Sequence, residues 1–464
     1  MVNIPLGLGD WGSVTQNMPR LKLRNMYVVA NPASPDQVSR VSRPTLTTAF
    51  TVGAGPIYTI WSQPNILNGD MLVVSGNGLY RVNSTTNAAT FIGYLPGTSR
   101  VDIAGTQLIG QPDFIFLVRE GILYHTDGST ISIVDIPDDQ AVSSITTLNG
   151  YFIFSISNTQ KFYWLGPGST EVDALNFASA ERIPDPIISV NVVADEVWFL
   201  GLSGPEVWTP TGDLNAPFQR VSGRVYKEGC HTRDSVVATA VNGLPALLWI
   251  TDTKAVVKAQ GAPTKISNES VEELLKTSDN LSAWLFRYNR HDFYVISSEL
   301  FTVVYDVTAD LWSQWDTYLL PFWVAQSGIQ NKATVYAGDY TSNKVYELVE
   351  GVGDDELPVV REVSGFIGAG AKPIKIAEVI AYVNSGWSPS YDINPTLELR
   401  WSDDLGSTWS DHIRAELGER GDYTRSVSYR NLGLLKGAGK VFEFRITDMV
   451  RFRIDFCTLN QKQE

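Results

Sequence analysis

Cysteine is nearly absent: the 464 residues hold two, Cys230 and Cys457. They lie far apart and match no metal-ligand spacing, which excludes a zinc ribbon or a disulfide-framed secreted module. Two free thiols in a protein folded in a reducing cytoplasm is the reading, with a disulfide between them as the alternative. Histidine is also scarce, with His125, His231, His291 and His412 in four different stretches and no His-x-x-x-His pair for a helical zinc site. Neither a Gly-x-x-x-x-Gly-Lys-Ser/Thr phosphate loop nor a Gly-x-Ser-x-Gly nucleophile turn occurs. No uncharged apolar run approaches the ~20 residues of a membrane span. The opening Met-Val-Asn-Ile-Pro-Leu-Gly-Leu-Gly-Asp has no basic segment leading into an apolar core, so no secretory signal is read there.

Positive charge is in deficit. The net charge is −14, and residues 400–464 hold 11 basic and 10 acidic side chains, so the acidic excess lies in residues 1–399. An acidic surface repels phosphate backbones, which argues against a sequence-reading nucleic-acid binder. A passage through which DNA slides with weak adhesion stays compatible with it.

What the chain has is strand-forming sequence and turns: 44% hydrophobic and 11% aromatic residues, with 38 Gly and 23 Pro spread without low-complexity runs. Met71-Leu-Val-Val-Ser-Gly-Asn-Gly-Leu-Tyr-Arg-Val82 reads as a hairpin, because glycine reaches the positive φ that tight hairpin turns need. The pattern returns along the chain. With Tyr80, Tyr124, Tyr163, Trp208, Val257, Tyr305 and Tyr346 as anchors, the gaps are 44, 39, 45, 49, 48 and 41 residues. A period of about 40–50 residues made of short strands predicts an all-β, seven-bladed β-propeller, with six blades as the alternative count.

The predicted organisation follows from where that period holds. Residues 1–44 carry Gly, Pro, Asn and a basic string (Arg20, Lys22, Arg24, Arg40, Arg43) and read as an extended N-terminal arm, with Arg20, Lys22 and Arg24 as candidate assembly residues. The propeller is placed at 45–351, with a strand at 45–52 completing the last blade and so covering open edges. Blade five carries an insertion in which Ser270-Val-Glu-Glu273 has a capping-box pattern, predicting a short helix near 268–277. Residues 352–358 read as a linker, and 359–464 as a C-terminal β-sandwich-like domain with alternating strands such as Phe442-Glu-Phe-Arg-Ile446.

Chemistry is hard to find. Ser402, Asp404, Gly406 and Trp409 form an Asp-box, whose physics is that of a structural hairpin: a side-chain oxygen accepts backbone N–H bonds and Trp packs beneath. Glycoside hydrolysis needs two converging carboxylates. Asp195, Glu196, Glu206, Asp252, Glu299, Asp306 and Asp310 are available, but sequence alone does not show that any two converge. Trp312 and Trp315 read as core rather than as a sugar platform. No catalytic, cofactor-binding or metal residue is assigned, and a non-enzyme is expected. A propeller that binds or cleaves host surface glycans in the manner of a sialidase is the alternative.

Several stretches together resemble one family. Lys265-Ile-Ser-Asn-Glu-Ser-Val-Glu-Glu-Leu-Leu275 leads into Arg290-His-Asp-Phe-Tyr294 and Val304-Tyr-Asp-Val-Thr-Ala-Asp-Leu-Trp312. With Arg24-Asn-Met-Tyr27, Arg40-Val-Ser-Arg-Pro44 and Arg451-Phe-Arg-Ile454, this is similar to the packaged-DNA stabilisation (tail hub) proteins of short-tailed bacteriophages. Arg290 stands where such strands more usually carry Gly. The resemblance implies a structural protein of the virion tail, assembled in the bacterial host cytoplasm without a membrane partner. Its implied partners are copies of itself in a ring expected to be hexameric, the portal or a portal adaptor, and tail fibres, spikes or a needle. Packaged DNA would pass through the ring without sequence-specific binding.

Overall fold

The computed structural model describes residues 2–9, 19, 21–384, 394–418, 421 and 425–461. Six free-standing antiparallel sheets of four strands each carry most of the chain. In chain order the first five run over Ile57–Tyr94, Asp102–Ile133, Val142–Ser179, Ile187–Val225 and Val237–Lys265. The sixth joins Ala325–Asn331, Thr334–Asp339 and Lys344–Val349 to a strand from far earlier in the chain, Thr45–Thr51. Between the fifth and this last sheet, Ser282–Tyr288, His291–Ser297, Thr302–Asp306 and Leu311–Gln314 form one more four-stranded meander. Its outer strand does not end the sheet, which continues to nine strands. The architecture is an all-β propeller with almost no helix.

The hairpin at Met71 shows why the sequence folds this way. All five residues of Met71–Ser75 are buried, and Ser75 pairs with Gly78 across a two-residue loop in which Gly76 takes φ 56°. Gly78 is needed too, since a Cβ there would lie 2.6 Å from the Tyr80 ring. A second set of two-residue turns recurs one hairpin earlier in the repeat. Both loop residues have positive φ at Asn149-Gly150, Ala194-Asp195, Asn242-Gly243 and Asn289-Arg290. Such turns match the twist of the flanking strands, which is why they recur where the first strand of a sheet hands over to the second.

The ring closes on itself. Ala325–Asn331 packs beside Ile57–Trp61, the first strand of the first sheet. Ser327 Oγ donates to Ile57 O at 3.4 Å and Asn331 Nδ2 to Gly69 O at 3.0 Å across that junction. Thr45–Thr51 then runs antiparallel on Lys344–Val349 and covers that strand's open edge.

The described residues of 1–44 are built into sheets rather than laid out as an extended arm. Val2–Ile4 pairs with Arg453–Gln461, Met26–Ala30 with Val38–Ser42, and Val38–Ser42 in turn with Arg453–Gln461. Leu23–Arg24 sits between the outer strand of the Ser282–Gln314 meander, Leu311–Gln314, and Arg361–Ile367. It is the bridge that makes the nine-stranded sheet, which goes on through Lys440–Ile446, Thr396–Ser402 and Ile413–Glu416. The facing sheet is built on Ile374–Asn384 and Arg453–Gln461. Ile4, Leu6, Leu23 and Met26 are at most 3% exposed and share one core with Val379, Leu399, Phe442 and Leu459. Each such side chain is worth roughly 1.5–3 kcal/mol on burial, so the N-terminal segment is part of what holds these two sheets together. The linker expected at 352–358 is a small hairpin, Gly353–Asp354 with Leu357–Pro358.

The inserted helix spans Glu269–Leu275, and its cap lies earlier than the sequence pattern suggested. Asn268, not Ser270, caps it, with Asn268 Oδ1 accepting from Val271 N at 3.0 Å. Ser267 Oγ donates to Glu272 Oε1 at 2.7 Å. An amide side chain in β conformation just outside the first turn competes well for the orphan N–H groups. Val271 and Leu275 bury the helix against the fifth sheet and its neighbour.

Candidate functional site

The blades of a propeller surround a central channel, and the first strands of the sheets begin at one end of it. In this chain that end is built from residues just before or at the start of those strands. Arg100 precedes Asp102–Gln107, and a short 3-10 turn, Arg233–Ser235, precedes Val237–Val241. The turn is held locally: Thr232 Oγ1 accepts from Asp234 N at 3.3 Å, and Ser235 Oγ donates to Thr232 O at 2.8 Å. Tyr294, wholly buried, donates to Ser235 O at 2.6 Å.

From this turn Arg233 crosses the axis. Its Nη1 donates to Ser143 O at 2.7 Å, its Nη2 to Arg100 O at 3.2 Å, and its Nε to Asp234 Oδ1 at 3.1 Å. Arg100 Nη1 donates to Ala283 O at 2.7 Å and to Asp234 O at 3.3 Å. Asp102 Oδ2 accepts from Ser144 Oγ at 2.8 Å and from Ile145 N at 2.9 Å. Burial would by itself lower the Arg233 pKa, but the charges of Asp234 and Asp102 outweigh it and the net shift is upward. Burial dominates at the other two groups, lowering Arg100 and raising Asp102. Beside the cluster is a cavity of about 80 Å³ lined by Tyr58, Arg100, Asp234, Ser298, Gln326 and Tyr340. That is room for a few waters.

Of the carboxylates singled out in the sequence, Asp195, Asp252 and Glu299 are exposed, Glu299 accepting from the Tyr340 hydroxyl at 3.1 Å, and the other four are engaged locally. Glu196 pairs with Arg224, and Glu206 accepts from Arg182 N and Trp208 Nε1. Asp306 lies 2.6 Å from His291 Nδ1, and Asp310 accepts from the Tyr305 hydroxyl. Trp312 donates to Ile266 O at 2.9 Å, and Trp315 packs among Phe286, Phe293 and Trp323, so neither offers a sugar platform. Among the described residues, no group of three or more His, Cys, Asp or Glu could hold a metal ion. None of these described helices is long and apolar enough to cross a membrane.

A second polar cluster joins the propeller to the two C-terminal sheets, and it contains most of the basic string. Arg24 pairs with Asp316 and, at 3.3 Å, with Glu362. Asn25 satisfies its whole amide: Nδ2 donates to Asp316 Oδ1 and Val360 O, both at 2.8 Å, and Oδ1 accepts from Asp316 N and Arg43 Nε. Arg43 is bidentate on Asp354 at 3.0 and 2.6 Å, donates to Pro44 O and Asp316 O, and lies over the Trp323 ring. Arg40 donates to Leu6 O, Gly7 O and Asp455 O. Lys22 Nζ is 3.7 Å from Glu443, which Arg400 also holds at 2.6 Å. Lys22, with 44% of its side chain exposed, and Arg24, with 30%, thus each lie against carboxylates of their own chain. Arg20 lies outside the described residues.

The Asp-box is a turn. Ser402 Oγ donates to Asp404 Oδ1 at 2.6 Å and accepts from Gly406 N at 2.8 Å. Asp404 accepts from Thr408 N at 2.7 Å and from Thr408 Oγ1 at 2.6 Å. These bonds, led by those from Ser402 and Thr408, lower its pKa to about 2. Trp409 is half-buried under the Arg400 guanidinium, 4.5 Å from its ring centre. The Ser402 hydroxyl and the Asp404 carboxylate both serve the bend.

A ring of four-stranded meanders closed by the early strand Thr45–Thr51 defines a β-propeller. The chain belongs to the family described as bacteriophage P22 Gp10, β-propeller, whose model matches residues 2–353, and it is a phage structural protein. The match begins at the strand Val2–Ile4 and ends within the hairpin Gly353–Pro358. No curated protein matches the chain. Among solved structures it is similar to the extracellular domain of a hybrid two-component system from B. thetaiotaomicron. That likeness has 10% identity and a TM-score of 0.46, and covers 91% of this chain and 56% of that one. The extracellular domain of a one-component system from the same organism gives 11%, 0.45, 92% and 62%. BBS1N, solved in complex with ARL6DN, gives 12%, 0.35, 64% and 95%. The chain thus spans less than two thirds of the first of these proteins, and likenesses this weak carry no functional argument.

Proposed function

We propose that the chain is a tail hub or adaptor of a phage virion. Copies of it form a ring, expected to be hexameric, below the portal, where the ring extends the DNA conduit, helps retain packaged DNA and anchors fibres, spikes or a needle. The family match over residues 2–353 is the observation that carries this reading. The net charge of −14 supports a conduit to which DNA adheres weakly. In this reading the meander Ser282–Gln314 counts as a seventh blade whose outer edge is occupied by Leu23–Arg24. The two C-terminal sheets, with the strands of residues 2–42, then form a β-sandwich-like docking unit clamped to that blade.

Electron microscopy of the purified chain mixed with the portal ring of the same particle tests the proposal. The expected image is a second ring stacked on the portal. A chain that stays monomeric beside the portal, yet binds host polysaccharide, would overturn it in favour of a glycan-directed propeller.

A further inference from the structure

We infer that Arg100 and Arg233 form a cross-brace that closes the propeller's own axis and ties together strands that are not neighbours in the ring. Modules of a propeller normally hold one another through adjacent faces, and the ring is completed by one shared sheet. Arg233, entering ahead of the fifth sheet, reaches Ser143 O at the start of the third and Arg100 O ahead of the second. Arg100 reaches in the opposite sense, to Ala283 O in the meander that follows the fifth sheet. Two arginines thus bind four backbone carbonyls drawn from four modules.

The chemistry makes this a brace rather than a ligand site. All three nitrogens of the Arg233 guanidinium have acceptors within the chain. Asp102 and Asp234 balance the two positive charges and are themselves engaged, by Ser144 and Ile145 and by Arg233. The cavity of about 80 Å³ beside the two arginines is too small for a sugar ring or an extended polymer. Bonds from a cation to a carbonyl are stronger than neutral ones, and the planar guanidinium holds two acceptors at a fixed spacing that an ammonium cannot. Partners of this chain therefore meet its rim, its loops or its C-terminal sheets, and nothing threads the individual propeller.

Amide hydrogen exchange on the full-length chain tests the brace independently of any ring or portal. Three variants are compared with the unaltered chain: Arg233→Ala, Arg233→Lys and, as a control, Arg287→Ala, which removes an exposed arginine paired with Asp292. Both Arg233 variants should speed exchange by about tenfold or more in Asp102–Gln107, Val142–Leu148 and Val237–Val241. The closing pair Thr45–Thr51 and Lys344–Val349 should keep its protection, and the control should change nothing in these strands. Should Arg233→Ala fail to fold, Arg100→Lys is read in the same way at Ser282–Tyr288. Unchanged protection, full rescue by lysine, or an equal loss in every sheet would each overturn the inference.

Discussion

Arg43 and Asp354 form a bidentate ion pair at 3.0 and 2.6 Å with both side chains out of contact with water, Arg43 at 0% and Asp354 at 5% exposure. Three parts of the chain meet there: the strand entering the propeller, the connection after Trp315, and the hairpin that leaves the last sheet. Asp354 also accepts from Leu46 N at 3.0 Å and Arg43 donates to Asp316 O at 2.9 Å, so the pair fixes backbone as well as charge. A buried pair adds little net stability, but removing one partner strands the other in a medium that cannot solvate it. Arg43→Ala should therefore lower the unfolding free energy by about 3–5 kcal/mol, measured by denaturant titration. The double variant Arg43→Met with Asp354→Leu should cost clearly less than the two single losses together. Additive losses would show that the pairing is not what makes the site sensitive.

Truncation tests where the N-terminal segment belongs. Ile4 is fully buried between the sheets that Arg453–Gln461 and Arg361–Ile367 help to build. Ile4→Ala should cost about 2–5 kcal/mol, the usual penalty for emptying a core position. Deleting residues 1–30 removes three strands and should leave the C-terminal sheets open to protease, while the propeller strands keep their protection. A protease-resistant truncated chain would restore the picture of a dispensable arm.

The same segment shows what a sequence can and cannot disclose. The propeller period was readable because its turn chemistry is local: Gly76-Asn77 and Glu120-Gly121 mark hairpins between second and third strands, and Asn149-Gly150 and Asn242-Gly243 mark hairpins one step earlier in their repeats. That second series of turns is an independent trace of the period, although Ala194-Asp195 and Asn289-Arg290 weaken it by lacking glycine and pairing a turn former with Ala194 or Arg290. The N-terminal strands were illegible for the opposite reason. Leu23–Arg24 is two residues long, and its partners lie about three hundred positions away, so nothing nearby reveals it. Basic residues at 24, 40 and 43 look like an exposed string until the carboxylates and carbonyls that bury them are known. The axial arginines are harder still, since Arg100 and Arg233 sit in polar connections with no periodic signal.

The thiols should behave as inert core groups. Cys230 and Cys457 are both free and fully buried, and burial is the leading cause that pushes each pKa up. A thiol kept protonated and out of solvent is a poor nucleophile. A colorimetric thiol reagent should therefore detect no reactive cysteine in the native chain and both after denaturation. Rapid modification of either one without unfolding would contradict the packing of Cys457 in the core it shares with Ile4 and Leu459, or of Cys230 among Trp198, Val207 and Trp249.

Asp404 supplies a pH-dependent term whose sign can be worked out. Its pKa falls from an ordinary 3.8 to about 2 on folding, chiefly because Ser402 and Thr408 hydrogen-bond the ionised form. A depressed carboxyl pKa stabilises the fold at pH above the unfolded value, and that contribution fades as pH drops through the folded one. Asp404→Asn should accordingly lower the melting temperature slightly at neutral pH. The gap from the unaltered chain should shrink between the two pKa values and vanish below about 2. Because the side chain is exposed, the effect should stay small and confined to the Ser402–Trp409 turn, detectable as local loss of amide protection at Gly406 and Thr408. A melting-temperature difference that persists unchanged into acid would show that the turn is held by the backbone alone, with the carboxylate incidental to it.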